Sequence, residues 1–145
     1  MSDSTREIVS TRVIDFPHAR VFEAFRNPDV LKRWWGPKDF RNTFNVFELK
    51  NGGKWDFTMH GPDGTDYANY SEFSEITPEH IVFKHISPPI FQMTISMQDL
   101  GSGKTKFGFH MLFDDPKVCE GIKHICVPCN EQNFDRLEEV LAGKR

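Results

Sequence analysis

Cysteine, tyrosine and long apolar runs are all scarce in this 145-residue sequence. The three cysteines, Cys119, Cys126 and Cys129, are odd in number and confined to one stretch, which excludes the disulfide framework of a small secreted domain. No apolar run exceeds three residues, as at 81–83, and this excludes a transmembrane helix. Residues 1–7 lack the apolar core of a signal peptide. We therefore expect reduced thiols and a cytoplasmic protein.

The chain also lacks an excess of either charge sign. Its 18 Lys and Arg against 21 Asp and Glu give a net charge of −3, and the two signs are interspersed. A nucleic-acid or anionic-membrane surface needs a basic patch, so neither partner is expected. No repeat or linker divides the sequence, and its length fits one domain, so we treat 1–145 as a single domain.

Phenylalanine is abundant: 14 Phe are joined by five Met and three Trp. Phe and Met side chains carry no strong hydrogen-bonding group, so this inventory is typical of a large apolar interior.

The N-terminal third predicts a strand and two short helices. Residues 8–16 are rich in β-branched side chains and end at a proline, which indicates a strand. Positions 18, 21, 22 and 25 share one face of a short helix. Asn27-Pro28 is a helix start, and the second helix turns Leu31, Trp34 and Trp35 inward before it ends at Gly36-Pro37.

Residues 40–113 alternate between apolar and polar side chains, with turn signals about every ten residues. This pattern predicts six antiparallel strands with one apolar face. A cap at Asp115-Pro116 then starts a helix that runs to Ala142, and Pro128 predicts a break or kink near 126–128. The predicted class is α+β, a curved antiparallel sheet with a long C-terminal helix.

Several short motifs occur in the order found in a known family. They are residues 13–17 (VIDFP), 21–25 (VFEAF), 31–37 (LKRWWGP), 52–55 (GGKW), 61–64 (GPDG) and 75–83 (EITPEHIVF). The sequence resembles the START-like proteins similar to the activator of the ninety-kilodalton heat-shock-protein ATPase, in the SRPBCC superfamily that includes the birch-pollen allergen. The resemblance implies a helix-grip fold, in which the sheet wraps round the C-terminal helix and encloses a cavity.

The resemblance implies several functions. Related proteins bind hydrophobic ligands, some act as cyclases or hydrolases, and many have no assigned role. We expect a binding protein for a small hydrophobic or amphipathic molecule. The alternatives are a cyclase- or hydrolase-type enzyme that uses the same cavity, or a co-chaperone that stimulates a heat-shock-protein ATPase. The candidate lining residues share the inward face of the strands or the second helix: Trp34, Trp35, Trp55, Phe57, Met59, His85, Phe91, Met93, Phe107 and Phe109.

Two chemical alternatives concern titratable side chains. Cys119, His124, Cys126 and Cys129 include a Cys-x-x-Cys pair, but one local cluster does not easily surround a zinc ion, so we expect no metal and no cofactor. His85 has the inward parity, and His60 and His110 have the outward one. An enzyme would use His85, with Tyr67 or Tyr70 as further polar groups. We assign no catalytic residue.

Two expectations concern partners and spectroscopy. The alternation of aromatic and polar residues places the aromatic side chains in the interior, so few remain on the surface as anchors for a protein interface. We therefore expect no chaperone partner, and a homodimer is possible. Trp55 shares the parity of Phe57 and Met59, so an apolar dye or a long-chain fatty acid should shift tryptophan emission, and Trp55→Phe should remove most of that shift.

Overall fold

A computed structural model describes residues 6–143, and the remaining ends of the predicted 1–145 domain lie outside the described residues. The elements run in the predicted order of one strand, two short helices, six strands and one long helix. They are β1 (Glu7–Ile14), α1 (His18–Arg26), α2 (Pro28–Trp34), β2 (Arg41–Phe47), β3 (Lys54–His60), β4 (Asp66–Ile76), β5 (His80–His85), β6 (Phe91–Gly101), β7 (Lys104–Phe113) and α3 (Pro116–Leu141).

The seven strands form one antiparallel sheet in the order β1-β7-β6-β5-β4-β3-β2. Each strand from β2 to β6 pairs with the next one in the chain, and β1 pairs with β7. The long helix α3 packs on β1 and β7, and the short helices connect β1 to β2. The predicted α+β helix-grip architecture is confirmed.

The two predicted helix starts are confirmed in detail. The side chain of Asn27 accepts a hydrogen bond from the backbone N–H of Asp29 at 3.0 Å, and Pro28 occupies the first turn of α2. Asp115 accepts in the same way from Lys117 at 2.9 Å at the start of α3. Each cap satisfies a backbone donor that the helix leaves unpaired.

Of the break or kink predicted near 126–128, the break is wrong, because α3 is one helix from Pro116 to Leu141 with Pro128 inside it, and the kink stays a prediction. Proline removes one backbone hydrogen bond from a helix. Pro128 and His124, four residues earlier, are both exposed, so the carbonyl that loses its partner lies where water can reach it. Buried residues on either side, Cys119 and Phe134, anchor both halves of the helix.

The aromatic residues concentrate at the end of the sheet that α1 and α2 cover. Trp55 stacks on Phe57 at 4.5 Å and on Phe73 at 5.8 Å between ring centroids, and Phe25 of α1 contacts Trp55 edge-on at 5.7 Å. All four side chains are at most 3% exposed. This end of the interior is solidly packed, so any internal space lies further along the strands.

Candidate functional site

A cavity of about 240 Å³ lies between the inner face of the sheet and α3. Trp35, Phe83 and Phe109 are buried parts of its wall, while Met59, Cys126 and Cys129 keep partial exposure and mark its rim. The full lining is Trp35, Gly36, Pro37, Phe57, Met59, Asn69, Phe83, His85, Pro89, Phe91, Met93, Phe109, Met111, Cys126, Cys129, Asn130 and Asn133. A larger depression of about 600 Å³ lies over β5–β7 but is lined mainly by polar and charged side chains, such as Glu79 and Lys106. The cavity under α3 is therefore the candidate site.

Seven of the ten candidate residues lie in this lining: Trp35, Phe57, Met59, His85, Phe91, Met93 and Phe109. The strand residues among them point inward because successive side chains of a strand alternate between its two faces. Trp35 directly follows α2. Because the helix ends at Trp34, as the sequence predicts, the chain turns there and places Trp35 against the sheet.

Trp34, Trp55 and Phe107 do not line the cavity, which corrects their assignment as lining residues. Trp34 donates from Nε1 to the carbonyl of Ala24 at 2.9 Å and lies against Phe107 at 6.2 Å. Trp55 sits in the aromatic packing beneath α1, and Phe107 meets Phe134 of α3 edge-on at 5.4 Å. Strand parity identifies the face of the sheet on which Trp55 and Phe107 lie but not their distance along the strand, and both belong to the packed end, as does Trp34 of α2.

Most of the polar side chains in the cavity wall were not predicted from the sequence. Cys126, Cys129, Asn130 and Asn133 lie on one face of α3 at helical spacing, and Asn69 faces them from β4. Such a face is easily read as a solvated one, because amides are usually exposed. Phe83 and Met111 were also missed, although Phe83 has the parity of His85 and Met111 that of Phe109. Gly36, Pro37 and Pro89 complete the lining from loops.

His85 is buried and held by protein groups on both sides of its ring. Its Nδ1 lies 2.8 Å from the carbonyl oxygen of Pro89, and its Nε2 lies 2.7 Å from Asn69 Oδ1. Both oxygens can only accept a hydrogen bond. Phe91 stacks on the ring at 4.7 Å. Burial lowers the pKa of His85, and this outweighs the raising effect of hydrogen bonds to the backbone of Pro89 and Ser87. A neutral imidazole has one N–H, so His85 donates to only one of these two oxygens at a time.

The other candidate polar groups lie away from the cavity. The Tyr70 hydroxyl donates to Glu72 at 3.0 Å, and Tyr67 is 47% exposed, so neither tyrosine reaches His85. His60 pairs with Asp66 at 2.8 Å, away from the cavity lining, as its outward parity predicts.

The two cysteines of the lining are protonated thiols at neutral pH. Burial, with a smaller effect of the neighbouring thiols, raises the pKa of Cys126 to about 11, and burial also raises the pKa of Cys129. Over residues 6–143, no group of three or more His, Cys, Asp or Glu side chains is arranged to hold a metal ion.

The segment between α2 and β2 forms one side of the rim and is fixed by Arg136 of α3. Both terminal nitrogens of this buried guanidinium donate, over 2.8–3.1 Å, to five backbone carbonyls: those of Arg33, Trp35, Gly36, Pro37 and Phe40. Gly36 has φ +96°, a backbone conformation in which a side chain would add strain, so the segment favours glycine at this position.

The comparison with known families agrees with this architecture. Residues 15–142 match the model of the family described as "Activator of Hsp90 ATPase homolog 1-like protein". The chain belongs to this family. The match extends from the end of β1 to the end of α3 and so includes almost every element that builds the cavity. No curated protein matches the chain significantly.

Several solved structures have the same fold as this chain, although their sequence identity to it is low. A protein of Nitrosomonas europaea is 21% identical, has a TM-score of 0.87 and aligns over 100% of this chain and 99% of its own. A protein of Mycobacterium smegmatis is 18% identical, with a TM-score of 0.84 over 99% and 96% of the two chains. The AHSA1 protein of Silicibacter pomeroyi is 13% identical, with a TM-score of 0.75 over 96% and 99%. No helix among residues 6–143 has the length and apolar character needed to cross a bilayer.

The raised pKa of Cys126 predicts slow alkylation. At pH 8 a thiol with a pKa of about 11 is a thiolate roughly a hundredfold less often than an ordinary cysteine of pKa about 8.5. Iodoacetamide labelling of Cys126, followed by peptide mass spectrometry, should therefore be at least about tenfold slower in the folded protein than in urea and should accelerate as the pH rises toward 11. Equal rates in both states would contradict a buried, protonated thiol.

Proposed function

We propose that this family member is a non-catalytic binding protein whose cavity accepts a small hydrophobic or amphipathic molecule. The observation that carries the proposal is the cavity of about 240 Å³ between the sheet and α3, walled by aromatic and methionine side chains. A few polar groups, His85, Asn69, Asn130 and Asn133, interrupt an otherwise apolar lining. Ligand pockets commonly combine an apolar wall with a few convergent polar groups in this way.

The cavity volume limits the size of the ligand. A dry cavity of roughly 150 Å³ already accepts benzene, whereas drug-sized ligands occupy about 300–1,000 Å³. A volume of about 240 Å³ fits a molecule of one or two rings. The proposal therefore favours a compact ring compound over the long-chain fatty acid expected from the sequence. The cytoplasmic location of the protein remains a proposal based on the sequence.

Binding should be visible in the emission of Trp35. This side chain lines the cavity, and it is also in contact with Trp55 at 5.1 Å and with Phe109 at 5.5 Å. A ring entering the cavity replaces the surroundings on the cavity side of the indole and should shift or quench its emission. The ligand for this titration is p-xylene, which does not emit in the tryptophan range. The change in tryptophan emission should saturate, and a calorimetric titration should give the same midpoint concentration.

The structure moves the expected reporter from Trp55 to Trp35, and two matched variants test this. Trp35→Phe should remove most of the emission change, while Trp55→Phe should keep it, because Trp55 does not line the cavity. An unchanged response in Trp35→Phe would place the ligand elsewhere. No heat and no emission change with the wild-type protein would argue against the binding function.

The enzymatic alternative depends on His85, because it is the only histidine of the cavity lining. What supports binding over catalysis is that each ring nitrogen faces a protein oxygen, that of Pro89 or Asn69, within 2.8 Å, so a substrate would first have to displace one of these oxygens. Activated esters and cyclic ketones should react at background rates with the wild type and with His85→Ala alike. A rate above background that His85→Ala abolishes would favour the enzyme.

The family name raises a third possibility, stimulation of a chaperone ATPase. A stable protein interface buries about 1,600 Å² and uses exposed aromatic or arginine anchors. The three tryptophans of this chain are buried in its interior. We predict no increase in the ATPase rate of a heat-shock chaperone from the same cell. A several-fold increase, lost on charge reversal at Lys32 and Arg33 of α2 but kept when the cavity is filled, would contradict this prediction.

A further inference from the structure

One polar side chain of the cavity has no partner for its acceptor. Asn133 lies on α3, is only 6% exposed and lines the cavity, and its Oδ1 has no hydrogen-bond partner among residues 6–143. The neighbouring amide of Asn130 donates from Nδ2 to Ser10 Oγ at 3.2 Å, and the same nitrogen lies 3.7 Å from Met111 Sδ. A buried acceptor without a partner is costly, and most buried polar groups are paired. Asn133 Oδ1 has less than 1 Å² of accessible surface, so a ligand donor would be stabilised there once the side chain turns this oxygen toward the cavity.

The cavity lining carries no full charge. It contains no Asp, Glu, Lys or Arg, and its titratable members are His85, Cys126 and Cys129. Burial lowers the pKa of His85 and raises the pKa of both thiols, so all three are neutral at pH 7. An ionised ligand would lose its hydration without gaining an opposite charge, which is unfavourable in an apolar site.

The wall contributed by the sheet is suited to a ring. Phe57, Phe83 and Phe109 present aromatic surfaces, while Met93 and Met111 place flexible thioethers between them. Thioethers make favourable contacts with aromatic rings and adapt to their shape. Asn133 lies on the facing helix, so a ligand that spans the cavity would meet rings and thioethers on one side and the amide on the other.

We propose that the ligand is a neutral molecule of one or two fused rings with a hydrogen-bond donor that pairs with Asn133 Oδ1. This inference rests on the proposed binding function and adds the chemical class of the ligand. It assigns Asn133 as the residue that selects donors and the uncharged lining as the feature that rejects carboxylates.

Three bicyclic probes of similar size test the inference by titration calorimetry. Indole carries one N–H donor, benzofuran has the same shape without a donor, and indole-2-carboxylate adds a negative charge. We expect the wild type to bind indole about tenfold more tightly than benzofuran, which is the effect of one hydrogen bond to a buried acceptor. Indole-2-carboxylate should bind at least about tenfold more weakly than indole.

Asn133→Leu removes the acceptor and keeps a side chain of similar size. In this variant the ratio of the indole and benzofuran affinities should fall to about one, and this ratio does not depend on the fraction of folded protein. If Asn133→Leu fails to fold, 1-methylindole on the wild type provides the same comparison, because its methyl group blocks the donor. It should bind as benzofuran does.

The possible outcomes separate the two proposals. Equal binding of indole and benzofuran by the wild type would overturn the donor assignment and leave the binding function standing. A preference for indole that persists in Asn133→Leu would also overturn it, since another group would then be the acceptor. Tighter binding of the carboxylate would overturn the neutral class. If none of the three probes binds, the ligand class fails, and the p-xylene titration decides whether the binding function fails with it.

Discussion

Replacement of Arg136 by methionine should lower the free energy of unfolding by about 4 kcal/mol, because five backbone carbonyls lose their donor in one step. Arg136 is 5% exposed, and its acceptors lie between Arg33 and Phe40, where the chain passes from α2 to β2. Methionine keeps an unbranched stem of similar length, so the change removes hydrogen bonds rather than volume. Urea denaturation followed by far-ultraviolet circular dichroism measures the loss.

Two further variants separate hydrogen bonding from charge. Arg136→Lys keeps a positive charge, but a single ammonium cannot reach carbonyls on both sides of a planar guanidinium, so we expect it to recover less than about half of the lost stability. Arg33→Met removes an arginine from the exposed side of α2 and should change stability by less than about 0.5 kcal/mol. A lysine variant as stable as the wild type would show that charge alone holds this segment.

The same variants should affect the cavity. Trp35, Gly36 and Pro37 lie in the segment that Arg136 holds, and they also form part of the cavity wall. Loss of the guanidinium should therefore weaken ring binding in protein that is still folded. This expected coupling makes Arg136 a positioning residue for the site, although it does not line the cavity itself.

The sequence predicted the elements and the inner face of the sheet because strands and caps leave local patterns. The alternation of Phe57 and Met59 with polar residues identified the inward side chains, and the Asn27-Pro28 cap identified α2. The position along each strand is not local, because it depends on which helix covers that part of the sheet. Trp55 and Met59 lie on one face of β3, yet α1 fills the space next to Trp55 and leaves space next to Met59.

The residues of α3 that line the cavity could not be predicted from hydrophobic periodicity. Asn130 and Asn133 lie inside because the sheet curves round the helix, and no local pattern distinguishes a buried amide from an exposed one. Arg136 was missed for the same reason: its partners are backbone carbonyls about 100 residues earlier, which any side chains could provide. The break expected at Pro128 failed because helix propensity is a local tendency that packing at Cys119 and Phe134 overrides.

A tryptophan in place of Cys126 should block the cavity and weaken ring binding by at least about a hundredfold, since its indole group is as large as the ligand itself. Cys126 lies on α3 at the rim, and its partial exposure leaves room for the larger side chain to turn inward without displacing the helix. The indole would fill space that is already empty and would not displace packed side chains. The free energy of unfolding should therefore fall by no more than about 1–2 kcal/mol.

The neighbouring position provides the matched control. Ile125 is 53% exposed and does not line the cavity, so Ile125→Trp adds the same ring on the outer side of α3 and should bind indole as the wild type does. Calorimetric titration of both variants, with thermal unfolding to check that each is folded, measures the difference. Undiminished binding by Cys126→Trp would place the ligand outside this cavity, and the depression over β5–β7 would then be the next site to test, because its volume of about 600 Å³ also exceeds that of a bicyclic ring.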